Sequence, residues 1–214
     1  YEFWQLRTPL TRYKIASCPW ALDNGCFTSF DRPTWERMLD EADAATDAAL
    51  ALIGQLREAG DDSEETLLAE VRALGLKARI LSSGEGVGFL QMAERAVELL
   101  APLASRPDAS EAVRNLDVEQ RVSLGFAYGS SSQNETAVAS LKDTMARAER
   151  DGGKDPEKNL FMAERYAEAG SWLTSALNSL GRSAEAVQIG RDARQVAEAV
   201  LEIRPGNFPA LYSL

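Results

Sequence analysis

From about residue 31 onward, apolar side chains recur at steps of three and four, and the breaks between these runs carry Gly, Pro, Ser or Asn. That is the period of one buried face on an α-helix. It predicts helices over 31–60, 64–74, 88–104, 108–130, 134–151, 156–180 and 183–203. The first runs through Trp35, Met38, Leu39, Ala42, Leu50 and Ile53 to Gly60, with Asp31 placed as its N-cap and Pro33 in its first turn. Asp62-Ser63-Glu64-Glu65 starts the second, and Gly75 is expected to stop it. No window after residue 40 alternates as a strand does. The first 30 residues read instead as short extended pieces and turns, punctuated by Pro9, Pro19 and Asp23-Asn24-Gly25.

The pattern also repeats on a longer scale. Pro107, Pro156 and Pro205 are spaced by 49 residues, twice. The same shift lays Glu119 on Glu168, Leu124 on Leu173, Ala127 on Ala176, Ala137 on Ala186, Val138 on Val187, Ala148 on Ala197 and Glu149 on Glu198. Small residues recur where two helices must cross closely, and prolines where one unit ends and the next helix begins. The unit is a hairpin of two helices. One hairpin cannot bury its own apolar face, so neighbours must stack. An earlier copy, over 58–105, is degenerate. The fold class read from these patterns is all-α: antiparallel helix hairpins stacked on each other after a short irregular N-terminal segment.

Leu124 and Gly125 are followed by Tyr128 and Ala137, and the second copy has Leu173, Leu177, Gly181 and Ala186. Its inter-helix turn reads Leu180-Gly181-Arg182-Ser183-Ala184-Glu185-Ala186. On these residues the stretch 60–214 resembles the tetratricopeptide repeat (TPR). It departs from that family in three ways. Thr174 stands for the small residue, Gly190 for the large apolar one, and the period is 49 rather than about 34. The resemblance implies a TPR-like right-handed solenoid of the long-helix kind found in bacterial signalling and regulatory proteins. It implies a concave groove lined by the first helix of each hairpin. Carried over position by position, the groove residues would be Glu119, Val122, Phe126 and Gly129, then Glu168, Ser171, Ser175 and Asn178. Val122 and Phe126 occupy the places where the family's carboxylate clamp has Lys and Asn, which argues against capture of a C-terminal tail. A weakly apolar, hydroxyl-rich groove suits a helix or an extended protein segment. The plainer use of the same residues is packing between helices.

Charge and composition narrow the chemistry. The chain has 214 residues, a net charge of −10, no histidine and two cysteines, Cys18 and Cys26. An acidic chain repels phosphate backbones, so no nucleic-acid partner is expected. The lack of histidine excludes Ser–His and Cys–His hydrolysis, His-ligated zinc and His acid–base catalysis within these residues. Two cysteines make neither a disulfide scaffold nor a good metal site; they read as reduced thiols of a cytoplasmic protein. No apolar run of membrane-spanning length and no signal peptide is present in the sequence. The acidic clusters Asp40-Glu41 and Asp61-Asp62-Ser63-Glu64-Glu65 lack the ligand alternation of a calcium loop and read as helix-start acids. Gly84-Glu85-Gly86-Val87-Gly88 lacks the Lys-Ser/Thr that phosphate binding would need. No cofactor and no metal are expected.

The composition changes along the chain. The first 35 residues hold both cysteines and eight of the sixteen aromatics, and they carry a net +1, whereas the remainder is rich in Ala, Glu and Leu. The organisation expected is therefore an aromatic-rich segment over 1–42, helices with a degenerate repeat over 43–105, and 49-residue repeats over 106–214. Within the first segment, Trp20-Ala21-Leu22-Asp23-Asn24-Gly25-Cys26-Phe27 resembles the base-recognition segment of tRNA-guanine transglycosylases and their deazaguanine-DNA-modification relatives. That resemblance implies a purine-contacting role for Asp23. The barrel it belongs to needs about 200 residues, and the rest of this chain is helical. The alternatives are an aromatic cap over the helices, with Asp23-Asn24-Gly25 a turn, or a join between unrelated pieces.

The functional expectation is a non-catalytic protein–protein interaction scaffold from a larger bacterial signalling protein. The alternative is a fragment of a transglycosylase-like enzyme using Asp23. Beginning at Tyr1 and ending within the repeat pattern, the chain reads as part of something longer. A further first helix is expected over 208–214, and the apolar face of 183–203, with Val187, Val196, Val200 and Leu201, would be left partly bare. Self-association or packing against the N-terminal aromatics follows from that bareness.

Overall fold

Seven helices and no strand form among the described residues of the computed structural model, which are 32–83, 88–207, 210 and 213. In chain order they are α1 (Arg32–Glu58), α2 (Glu64–Ser83), α3 (Phe89–Ala104), α4 (Glu111–Ser130), α5 (Asn134–Arg150), α6 (Leu160–Ser179) and α7 (Ser183–Ile203). The architecture is all-α, as the apolar period predicts. No helix among the described residues is long and apolar enough to cross a membrane. The chain divides into two compact units, Tyr1–Met92 and Ala93–Leu214.

In the first unit α1 and α2 pack on each other, and Leu39, Ala42, Leu76 and Ile80 form a common core. Thr46 is fully buried there, and its hydroxyl donates to the Ala42 carbonyl at 2.7 Å, so no polar atom is stranded. At the end of α1, Gly60 takes φ +89° and the Asp61 N–H donates to the Leu56 carbonyl at 3.0 Å. This satisfies a terminal carbonyl through the left-handed residue that glycine adopts cheaply. Gly75 does not stop α2, contrary to the sequence expectation; the helix runs on to Ser83. Leu74, Leu76, Ala78 and Ile80 around it are all buried. A glycine costs a helix about 1 kcal/mol, less than the roughly 1.5–3 kcal/mol gained by burying one such large side chain.

The second unit carries the 49-residue period in its backbone. Helix α4 starts at Glu111 and α6 at Leu160, each four residues after its proline; α5 starts at Asn134 and α7 at Ser183. Ser110 caps α4 by accepting from the Val113 N–H at 3.3 Å, and Asn159 caps α6 by accepting from the Met162 N–H at 3.2 Å. The turns between the paired helices match bond for bond. Ser132 at φ 61° and Gly181 at φ 73° are equivalent left-handed residues. The Gln133 N–H donates to the Tyr128 carbonyl, as the Arg182 N–H does to the Leu177 carbonyl. Helix α5 packs on α4 and α6, α7 packs on α6, and α6 also packs directly on α4. Leu141, Ala163, Leu173, Leu177 and Val200 are among the fully buried residues of the resulting core.

The two departures from the repeat pattern face each other. In the first hairpin Gly125 lies under Leu141, so closely that a Cβ at 125 would collide with the leucine Cδ2 and Cγ. In the second, Thr174 faces Gly190, and a Cβ at 190 would meet the threonine Oγ1 at 3.5 Å. Small and large have changed places across one helix crossing. Two buried carboxylates are paired: Asp117 accepts from Arg121 at 2.9 Å and from Arg147 at 3.3 Å. Glu164 accepts from Asn207 at 2.6 Å and from Arg204 at 3.0 Å.

Of the face expected to lie bare on α7, Val196 and Val200 are buried in the core, Leu201 is half-buried and Val187 is exposed. Most of the expected further helix lies outside the described residues. Of its positions Ala210 and Ser213 are described; Ala210 is fully buried, and its N–H donates to the Asn207 side chain at 2.9 Å.

Candidate interaction surface

The outward residues of α4 and α6 follow from what the core takes. In α4 the buried set is Val113, Leu116, Asp117, Val118, Gln120, Val122, Leu124, Gly125 and Ala127. The complementary stripe, at helical steps of three and four, is Glu119, Ser123, Phe126 and Ser130. In α6 the same logic leaves Phe161, Arg165, Glu168, Trp172, Ser175 and Ser179. Because α6 packs on α4, the two stripes adjoin. They meet at Phe126 and Trp172, whose ring centroids are 4.5 Å apart and tilted by 54°. Such a tilted contact is favourable beyond the area it buries.

The charge on this face is organised by α6. Arg165 reaches Glu168 one turn on, at 2.6 Å, and its guanidinium lies 5.6 Å from the Phe161 ring centroid. The Arg165 Nε is buried and has no hydrogen-bond partner. On the other side of α4, Tyr128 donates its hydroxyl to Glu94 of α3 at 3.2 Å. Burial, and then the Glu94 charge, push that phenol above its ordinary pKa. It is a packing contact between helices.

The eight groove positions expected from the sequence separate in three ways. Glu119, Phe126, Glu168 and Ser175 lie on the α4–α6 strip. Val122 is 2% exposed and belongs to the core, so it lines no surface; a β-branched apolar residue next to Val118 and Leu141 is held by packing. Ser171 and Asn178 lie on another side of α6, where they line a cavity against α7, and Gly129 is half-buried with open space where a Cβ would stand. Trp172, Arg165 and Phe161 are absent from the expected set. The inherited spacing follows 119, 122, 126 and 129, whereas the outward line follows 119, 123, 126 and 130. Their signal was the period of α6 itself, read from its buried residues.

Other sequence candidates resolve into local structure. Asp61 accepts from the Ser63 N–H at 3.0 Å and the Thr66 hydroxyl at 2.7 Å, and Asp62 pairs with Arg57 at 3.0 Å. Hydrogen bonds from Ser63, and then from Thr66, hold Asp61 below the ordinary carboxylate range. No group of three or more metal-ligating residues is found among the described residues. Asp23, Cys18, Cys26 and residues 84–87 lie outside the described residues. No family model, curated protein or solved structure matches the chain.

Proposed function

We propose that this chain is a non-catalytic interaction scaffold, a TPR-like array within a cytosolic signalling or regulatory protein, and that the α4–α6 strip takes a segment of another protein. One observation carries the reading: the first helices of two equivalent hairpins pack on each other and merge their outward faces. A stack built this way presents a continuous surface. The strip has the composition of an interface centre, with two aromatic rings in contact and, further along α6, Arg165 over the Phe161 ring. An extended or helical segment would lay an apolar side chain beside Phe126 and Trp172.

The test is a displayed-peptide selection on the intact chain, repeated on Phe126→Glu and Ser175→Arg. Ser175 is exposed, so its variant keeps the fold, and far-UV circular dichroism verifies both. Peptides enriched by the unaltered chain should lose at least about tenfold in affinity for each variant, as interface-centre substitutions do. Enrichment that survives both changes would move the site off this strip.

A further inference from the structure

What the α4–α6 strip still offers a partner is acceptor capacity. The Ser123 hydroxyl donates to the Glu119 carbonyl at 3.3 Å, and the Ser179 hydroxyl to the Ser175 carbonyl at 3.1 Å. Those protons are used inside the helices, while the hydroxyl oxygens can still accept. Among the described residues of the two outward lines Arg165 is the one cation. It is held by Glu168 at 2.6 Å, lies 3.9 Å from Glu164 and sits over the Phe161 ring. Two carboxylates, Glu119 and Glu168, stand on the same lines. They are repeat equivalents, 49 residues apart, and each precedes one ring of the Phe126–Trp172 pair on its own helix. Trp172 follows Glu168 by four residues, and Phe126 follows Glu119 by seven.

Negative charge therefore flanks an aromatic centre, and the chain as a whole carries −10. An acidic segment would set like charges together, whereas a basic one is drawn in and oriented. We propose that the strip takes a basic, apolar-centred segment of another protein. It is an extended chain with its apolar side chain on Phe126 and Trp172 and a Lys or Arg beside Glu119 and Glu168. Carboxylate and aromatic lie about 6 to 10 Å apart along each helix, which two or three residues of extended chain span. The proposal rests on the strip being an interaction surface and adds the partner's charge and spacing.

The probe is a displayed library of random peptides, selected on the intact chain at low salt. Enriched peptides are then labelled with fluorescein and titrated by anisotropy. They should carry Lys or Arg two or three residues from a large apolar side chain. Glu119→Lys should weaken them at least about tenfold and Glu119→Gln less. Replacing the peptide's cation by Glu should restore binding to Glu119→Lys. Far-UV circular dichroism verifies the fold of each variant. Neutral or acidic peptides that lose affinity on Phe126→Ala would overturn the charge assignment while keeping the strip as the surface. So would basic peptides that bind Glu119→Lys unweakened, or loss without charge-swap rescue. Peptides of any charge that bind Phe126→Ala as tightly as the unaltered chain, or no enrichment at all, would overturn both.

Discussion

Glycine has opposite worth at two helix crossings of this chain. Gly125 is required by contact, because Leu141 occupies the space of its missing Cβ. Gly190 has room, since a Cβ there would touch Thr174 at ordinary distance, 3.5 to 3.6 Å. Neither residue has a positive φ, so alanine suits both backbones. Gly125→Ala should therefore destabilise by about 1–3 kcal/mol, as overpacking does. Gly190→Ala should stabilise by about 0.5–1 kcal/mol through helix propensity. Urea unfolding of the two variants gives the comparison, and equal effects would mean that the crossings are not built as described. This exchange of small for large was not legible in the sequence. Thr174 and Gly190 each look like a lost repeat residue; only their juxtaposition on neighbouring helices shows that one compensates the other. Val122 was misplaced for a related reason, because spacing inherited from a family says nothing of which side this core takes.

At the level of whole helices, the stops were legible except that of α2, and the starts of α4 and α6 fall at Glu111 and Leu160, after the expected 108 and 156. The starts of α4 and α6 follow a proline and the side-chain caps Ser110 and Asn159, and those of α5 and α7 follow the left-handed turn residues Ser132 and Gly181, all of them local signals. The end of α2 depends on burial of Leu76, Ala78 and Ile80, which no residue near Gly75 announces. The start of α2 is also where pH should act. Its first turn is tied to Asp61 through Ser63 and Thr66, and those bonds favour the ionised carboxylate. The folded pKa is therefore below the unfolded one. The contribution is present above the unfolded value, about 3.9, and is lost as pH falls through the depressed folded value. Asp61→Asn should lower the melting temperature at neutral pH and flatten its fall below about pH 4. An acid profile unchanged by the substitution would show that the carboxylate does not hold this helix start.

Across the second unit, stability should concentrate where neighbours are most numerous. In a stack of hairpins each element answers mainly to those beside it. Helix α6 packs on α4, α5 and α7, whereas α7 has α6 as its principal helical neighbour. The interior of α6 reflects this: Met162, Ala163, Ala167, Leu173 and Leu177 are all 1% exposed or less. Helix α7 buries one face, Ala186, Ala193, Val196, Ala197 and Val200, and leaves Val187 and Ile203 in water. Opening α7 alone breaks one helix–helix interface, while opening α6 breaks three and uncovers the centre of the core. Sub-global opening therefore costs less at α7. Native-state hydrogen exchange should find the slowest amides of the unit in α6 and faster exchange along α7. Leu173→Ala, at a cost of about 2–5 kcal/mol, should lower protection in α4, α5 and α6 together, while Val187→Ala should leave all three unchanged. If α7 exchanges as slowly as α6, or if the loss at Leu173 stays within one helix, then the unit does not unfold as a nearest-neighbour stack and α6 is not its keystone.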